Sequence, residues 1–123
     1  MTARQKGYVS VRKAIEHYEK EGYLIDSIEK TGRFRKYKDL YSRWFEEQGY
    51  TAGFDLLAIH PSRRPILIQV TTTTPKVHKP FTVFAKEFGH TVSVEQFVRM
   101  KGRKDNLVIV YNTDGSKVKL KAL

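Results

Sequence analysis

Two short apolar runs, Phe54 to Ile59 and Ile66 to Thr72, constrain the fold of this chain more than any other feature. The connection between them, His60 to Pro65, has turn chemistry, with Pro61 and Pro65 near its two ends. The pair therefore predicts a β-hairpin. Asp55 opens the first strand, and Gln69 and Thr71 sit in the second. Because successive side chains of a strand point to opposite faces, Gln69 and Thr71 share one face and Val70 takes the other.

The rest of the chain must supply cover for that hairpin. Val11, Ala14, Ile15 and Tyr18 recur at helical steps, with Ser10 placed as an N-cap and Gly22 as the stop. Tyr23 to Lys30 reads as a strand that turns at Thr31-Gly32. Tyr37, Leu40, Tyr41, Trp44 and Phe45 predict a helix over Lys36 to Gln48, its aromatic stripe facing the core, with Tyr37 the one ring placed to stack on a base. Phe81 to Phe88 fits a short helix, with a strand as the alternative. Ser93-Val94-Glu95-Gln96 has capping-box form, and Val94, Phe97 and Val98 then predict a helix reaching Gly102. Asn106 to Tyr111 contains a continuous apolar run and predicts a central strand. A tight turn over Asn112 to Gly115 leads to an alternating strand, Lys117 to Lys121, with one wet, basic face. The fold class expected is α/β or α+β: a small single domain with a central mixed sheet flanked by helices.

Composition narrows the function. With 123 residues and 40% hydrophobic content, the chain can bury a core without metal or disulfide staples. It has no cysteine, which removes thiolate zinc sites and cysteine nucleophiles. No apolar run approaches the roughly 18 residues of a membrane span, and Met1 to Lys6 lacks the apolar stretch of a secretory signal. An intracellular, cytoplasmic protein with no membrane partner is expected, and a thermophilic source fits. Lys and Arg number 23 against 13 acids, a net charge of +10, which points to a polyanion. The excess is clustered. Lys30, Arg33, Arg35, Lys36, Lys38 and Arg43 form one group, Arg63 and Arg64 a second, and Arg99, Lys101, Arg103 and Lys104 a third, while Lys76 and Lys79 flank the hairpin's exit. Such a surface fits nucleic-acid phosphates.

The order of helix and Gly-Tyr strand, followed by Phe54-Asp55-Leu56-Leu57-Ala58-Ile59 and Ile66-Leu67-Ile68-Gln69-Val70-Thr71, resembles the PD-(D/E)xK nuclease superfamily, most closely the archaeal Holliday junction resolvases. The resemblance covers roughly residues 7 to 111. It implies a restriction-endonuclease-like fold, a homodimer, and a site where two carboxylates hold Mg²⁺ or Mn²⁺ and a lysine supports water activation. Asp55 falls on the first acid, Gln69 on the second and Thr71 on the lysine, so only Asp55 matches unaltered. Gln69 can offer an oxygen to a metal but no charge, and Thr71 supplies no cation. The helix glutamate of the family falls near Val11, with Glu16 and Glu19 one to two turns further on.

The expectation is a DNA-binding protein of nuclease-like fold with weak or no cleavage, using Arg33, Arg35, Lys36, Lys38, Arg43, Arg63, Arg64, Lys76 and Lys79 on phosphates. One alternative is a Mg²⁺- or Mn²⁺-dependent endonuclease using Asp55 and Gln69, with Lys76, Lys79 or Lys86 in place of the missing lysine. Another is an RNA-binding accessory module. His17, His60, His78 and His90 are scattered, Ser42 and Ser62 have no triad partner, and no glycine-rich phosphate loop is present.

Overall fold

The computed structural model describes residues 3–28, 40–72, 79–100 and 105–122. In chain order its elements are α1 (Ala3–Lys20), β1 (Leu24–Ser27), α2 (Leu40–Glu47), β2 (Leu56–Ile59), β3 (Ile66–Thr72), α3 (Lys79–Phe88), β4 (Ser93–Arg99), β5 (Asn106–Tyr111) and β6 (Lys117–Ala122). The strands form one six-stranded sheet in the order of the sequence. β3 and β4 are parallel, and every other neighbouring pair is antiparallel. Two antiparallel meanders, β1–β3 and β4–β6, are thus joined through α3, the kind of crossover that a parallel pair requires. The described residues form an α+β fold with a mixed sheet and three helices.

Each face of the sheet has its own core. Ala14 and Tyr18 of α1 pack on Leu56, Ala58, Ile66, Ile68, Phe97 and Val108. On the other face, Phe45 of α2 and Phe81, Phe84 and Ala85 of α3 pack on Phe54, Leu67, Val94, Val98, Ile109 and Tyr111. The aromatic stripe of α2 faces inward: the Phe45 ring lies 5.5 Å from Phe54, 5.6 Å from Phe81 and 5.5 Å from Phe84. Trp44 meets Phe84 edge-on at 5.1 Å.

The helices end as their glycines dictate. Gly22 and Gly49 have φ of 91° and 85°, the left-handed region. The residue after each donates back to the last turn, Tyr23 N–H to the Tyr18 carbonyl and Tyr50 N–H to the Phe45 carbonyl. α1 begins earlier than its apolar spacing indicates, so Ser10 is an interior helical residue and not the N-cap. Ser10 is buried, and its hydroxyl hydrogen-bonds that of Thr72 on β3.

Three further expectations need correction. Ser93 to Arg99 is a strand, not a helix. A capping box and one helical turn of apolar residues are local signals. Here they lose to pairing on both sides, because β4 lies between β3 and β5 and buries Val94, Gln96, Phe97 and Val98. The run Asn106 to Tyr111 is interior but next to the edge, and the middle of the sheet is β3 with β4. Finally, β6 is wet on both faces, for Val118 and Leu120 are exposed along with the lysines that alternate with them. The helix expected from Lys36 is described from Leu40 onward; Lys36 itself, the turn at Thr31-Gly32 and Tyr37 lie outside the described residues.

Phe45 is the ring around which the second core is built, and truncating it removes contacts with both α3 and the strand entry at Phe54. Phe45→Ala is expected to cost about 3–5 kcal/mol, read as a lower urea midpoint at unchanged slope.

Candidate functional site

Asp55 stands one residue before β2 and continues its ladder. Its N–H donates to the Ile68 carbonyl at 2.8 Å, and its own carbonyl accepts from Ile28 N–H at 3.0 Å. The last paired register between β2 and β3 is Leu56 with Ile68. Beyond it the backbone of Val70 points toward a neighbour that has ended. A buried or half-buried peptide group without a partner is costly. Here two side chains supply the partners. The Asp55 carboxylate accepts from Val70 N–H at 2.7 Å, and the Gln69 side-chain amide donates to the Val70 carbonyl at 3.1 Å.

Asp55 and Gln69, two positions singled out by the sequence, therefore meet around the backbone of one residue, Val70. Gln69 is further held from β4. Its side-chain oxygen accepts from the Gln96 amide at 2.9 Å, and the Gln96 oxygen accepts from the Tyr111 hydroxyl. Gln96 is 2% exposed, and burial pushes the Tyr111 phenol upward from its usual range, so this chain of donors stays neutral. Sequence reasoning missed Gln96 and Tyr111 because the stretch around Gln96 reads as helix. Only the register Gln69 opposite Gln96 puts the two amides side by side. The visible trace was the alternation Val94, Gln96, Val98.

Thr71 lies on the Gln69 face, half-buried and paired with Val98 in the β3–β4 register. The neighbourhood of Val11 brings the Ser10 hydroxyl to this end of the sheet, on the opposite face, through Thr72. Glu16 and Glu19 lie further along α1 and are exposed. Among the described residues, no three of His, Asp and Glu gather closely enough to hold a metal ion. Among the described residues, Gln69 and Asp55 are the pair of oxygen donors that meet here: one amide and one carboxylate.

The basic residues divide by position. Lys79 is the first residue of α3 and is exposed, and Arg43 is exposed on α2. Arg99 closes β4 in register with Thr72, at the Asp55 end. Arg33, Arg35, Lys36, Lys38 and Lys76 lie outside the described residues. Arg63 and Arg64 occupy the β2–β3 turn at the other end of β3, about 20 Å away at the rise of a strand. Both are engaged there: Arg63 lies over the Tyr23 ring at 5.8 Å, and Arg64 donates to the Gly89 carbonyl. Lys86 also belongs to that far end, its side chain packed beside Gly115 in the β5–β6 turn, and so does not reach Thr71.

A second polar group lies under α1. The Tyr18 hydroxyl donates to a Glu95 carboxylate oxygen at 2.9 Å. Burial raises the Glu95 carboxyl above its usual 4.5 and the nearby Glu21 adds to the rise, while the Tyr18 hydrogen bond opposes it. Burial, with Glu95 beside it, also holds the Tyr18 phenol well above its usual range.

No protein-family model matches the chain, and no curated protein sequence matches it.

An acid that holds its proton more tightly folded than unfolded lowers stability as pH rises from the unfolded pKa toward the folded one. For Glu95 that window opens at about 4.5 and extends upward. Glu95→Gln keeps an acceptor for Tyr18 and removes the titration. The variant should therefore gain on the parent as pH rises from 4 to 7 in parallel urea titrations. Tyr111→Phe strips the donor from buried Gln96 and should cost about 1–3 kcal/mol. The loss should shrink in a Gln96→Leu background, which a double-mutant cycle measures.

Proposed function

We propose that this chain is an intracellular nucleic-acid-binding domain, with DNA as the partner, that presents the Asp55 end of its sheet to the phosphate backbone and cleaves weakly or not at all. The observation that carries this reading is a convergence of chain exits. β1, β3 and β4 run in the same direction and all end at the Asp55 end of the sheet. The sequence following β1 holds Lys30, Arg33, Arg35, Lys36 and Lys38, that following β3 holds Lys76 and Lys79, and that following β4 holds Lys101, Arg103 and Lys104. α1 also starts on this side, with Arg4 and Lys6 in its first turns. Three strands that end at one side of the sheet are thus each followed in the sequence by a basic segment. Arg63 and Arg64 lie at the opposite end of β3, away from Asp55.

Weak cleavage follows from the site's own groups. Among the described residues, Asp55 is the one carboxylate that meets Gln69 at the β2–β3 end, and Gln69 and Thr71 are neutral. A hard divalent cation held by one carboxylate and one amide lacks the charge that makes such sites tight. The relay from Tyr111 through Gln96 supports a second reading, because it orients the Gln69 oxygen as a ligand-orienting shell would. In that reading the chain is a Mg²⁺- or Mn²⁺-dependent endonuclease with Lys79 or Lys76 supplying the cation. A homodimer on branched DNA is the assembly that the resemblance brings with it.

Fluorescence anisotropy with four-way junction, duplex and single-stranded DNA, and with RNA as competitor, tests the reading. Neutralising about six phosphates should weaken binding by roughly three orders of magnitude between 50 and 200 mM salt, and a flat response would sink the proposal. Lys79→Ala should reduce affinity and Arg64→Ala should leave it unchanged. Incubation with the same DNAs in Mn²⁺ separates the two readings: cleavage that disappears in Asp55→Ala establishes the nuclease.

A further inference from the structure

The outer edge of the sheet carries features that the nucleic-acid reading does not use. Among the described residues β6 pairs with β5 alone, and none of them covers the backbone of Lys117–Ala122 along its other side. Its side chains alternate. Lys117, Lys119 and Lys121 stand opposite Tyr111, Ile109 and Leu107, on the face that carries α3. Val118 and Leu120 stand opposite Val110 and Val108, on the face that carries α1. α1 lies over β1, β3 and β4, and Val118 and Leu120 remain 44% and 50% exposed beside half-buried Val110. Lys121 has the Asp105 carboxylate at 3.9 Å, both groups well exposed.

Three kinds of occupant can be weighed against this edge. A second copy joined edge to edge sets lysines against lysines in every register that keeps Val118 and Leu120 with apolar partners, because the alternation has period two. Like charges directly opposite destabilise a strand pair, and lysines on an edge strand oppose self-association. Packing two copies through Val118 and Leu120 face to face leaves two half-exposed aliphatic side chains per copy, far short of the roughly 1,200 Å² that a stable interface buries. A nucleic acid would meet the lysines but leave both the open backbone and the aliphatic pair uncovered.

We propose that β6 is a docking edge for an extended segment of another protein in which acidic and aliphatic side chains alternate. The segment adds as a seventh strand. Its backbone completes the open side of β6, its acids lie beside Lys117, Lys119 and Lys121, and its aliphatic side chains extend the Val110, Val118 and Leu120 surface. Strand addition of this kind draws affinity from the backbone and specificity from alternate side chains. The proposal stands independently of the nucleic-acid reading.

A fluorescein-labelled eight-residue peptide alternating glutamate and valine, titrated into the full chain, should bind saturably. A peptide of the same composition with its glutamates contiguous should bind about tenfold more weakly, since it cannot match backbone and both faces together. Lys119→Glu should weaken the alternating peptide about fivefold and improve the affinity of its lysine–valine counterpart. Leu120→Ser should weaken the peptide and leave DNA affinity unchanged. Equal binding of alternating and contiguous peptides, or displacement by a single-stranded oligonucleotide with no effect of Leu120→Ser, would make the edge a polyanion surface and overturn the proposal. So would a dimer in sedimentation that Leu120→Ser dissolves, for the edge would then be a contact between copies.

Discussion

The parallel pairing of β3 with β4 is the interaction on which the rest of this molecule depends. Leu67, Ile68, Phe97 and Val98 have no solvent exposure, two side chains from each strand and one of each pair on either face. A parallel pair cannot be closed by a tight turn, so the chain must cross over, and it does so through α3. That crossover separates the sheet into two meanders and places α3 on the face opposite α1. It also brings the carboxyl ends of β3 and β4 side by side, with β1 ending in the same direction two strands away. The position of Asp55 and the relay through Gln96 both follow from this one register.

How much of this was legible in the sequence depended on whether the deciding force was local. The hairpin of β2 and β3 was legible because turn chemistry at Pro61 and Pro65 and the apolar runs agree. The ends of α1 and α2 were legible because Gly22 and Gly49 adopt a backbone conformation that glycine favours. β4 was not. Ser93 and Gln96 mimic a capping box, and Val94, Phe97 and Val98 fit a helical face as well as a strand buried on both sides. What decides between them is Gln69 across one gap and Ile109 across the other, and neither is a property of the segment itself.

The candidate site shows the same division. Asp55 and Gln69 could be picked out from their places in two adjacent strands, whereas Gln96 and Tyr111 could not, because their approach depends on the β3–β4 and β4–β5 registers. Charge counting grouped Arg63 and Arg64 with the other basic residues, but a strand's length of sheet separates that turn from Asp55. Their guanidinium groups address Tyr23 and Gly89, contacts that hold the hairpin turn against α1's exit and α3's end. Sequence clusters of charge say how much charge there is; topology says where it can act together.

Asp55 and Gln69 also carry a structural duty of their own. Where β2 stops, Val70 needs one acceptor and one donor, and a carboxylate with an amide provides both. A second carboxylate at position 69 could not donate to the Val70 carbonyl in its ionised form. The glutamine thus completes the sheet where β2 stops, and the Gln96 amide, donating to the Gln69 oxygen, holds it there. The neutrality of Gln69 thus has a structural reason of its own. Its amide satisfies the Val70 carbonyl, which an ionised carboxylate at the same position would leave without a donor.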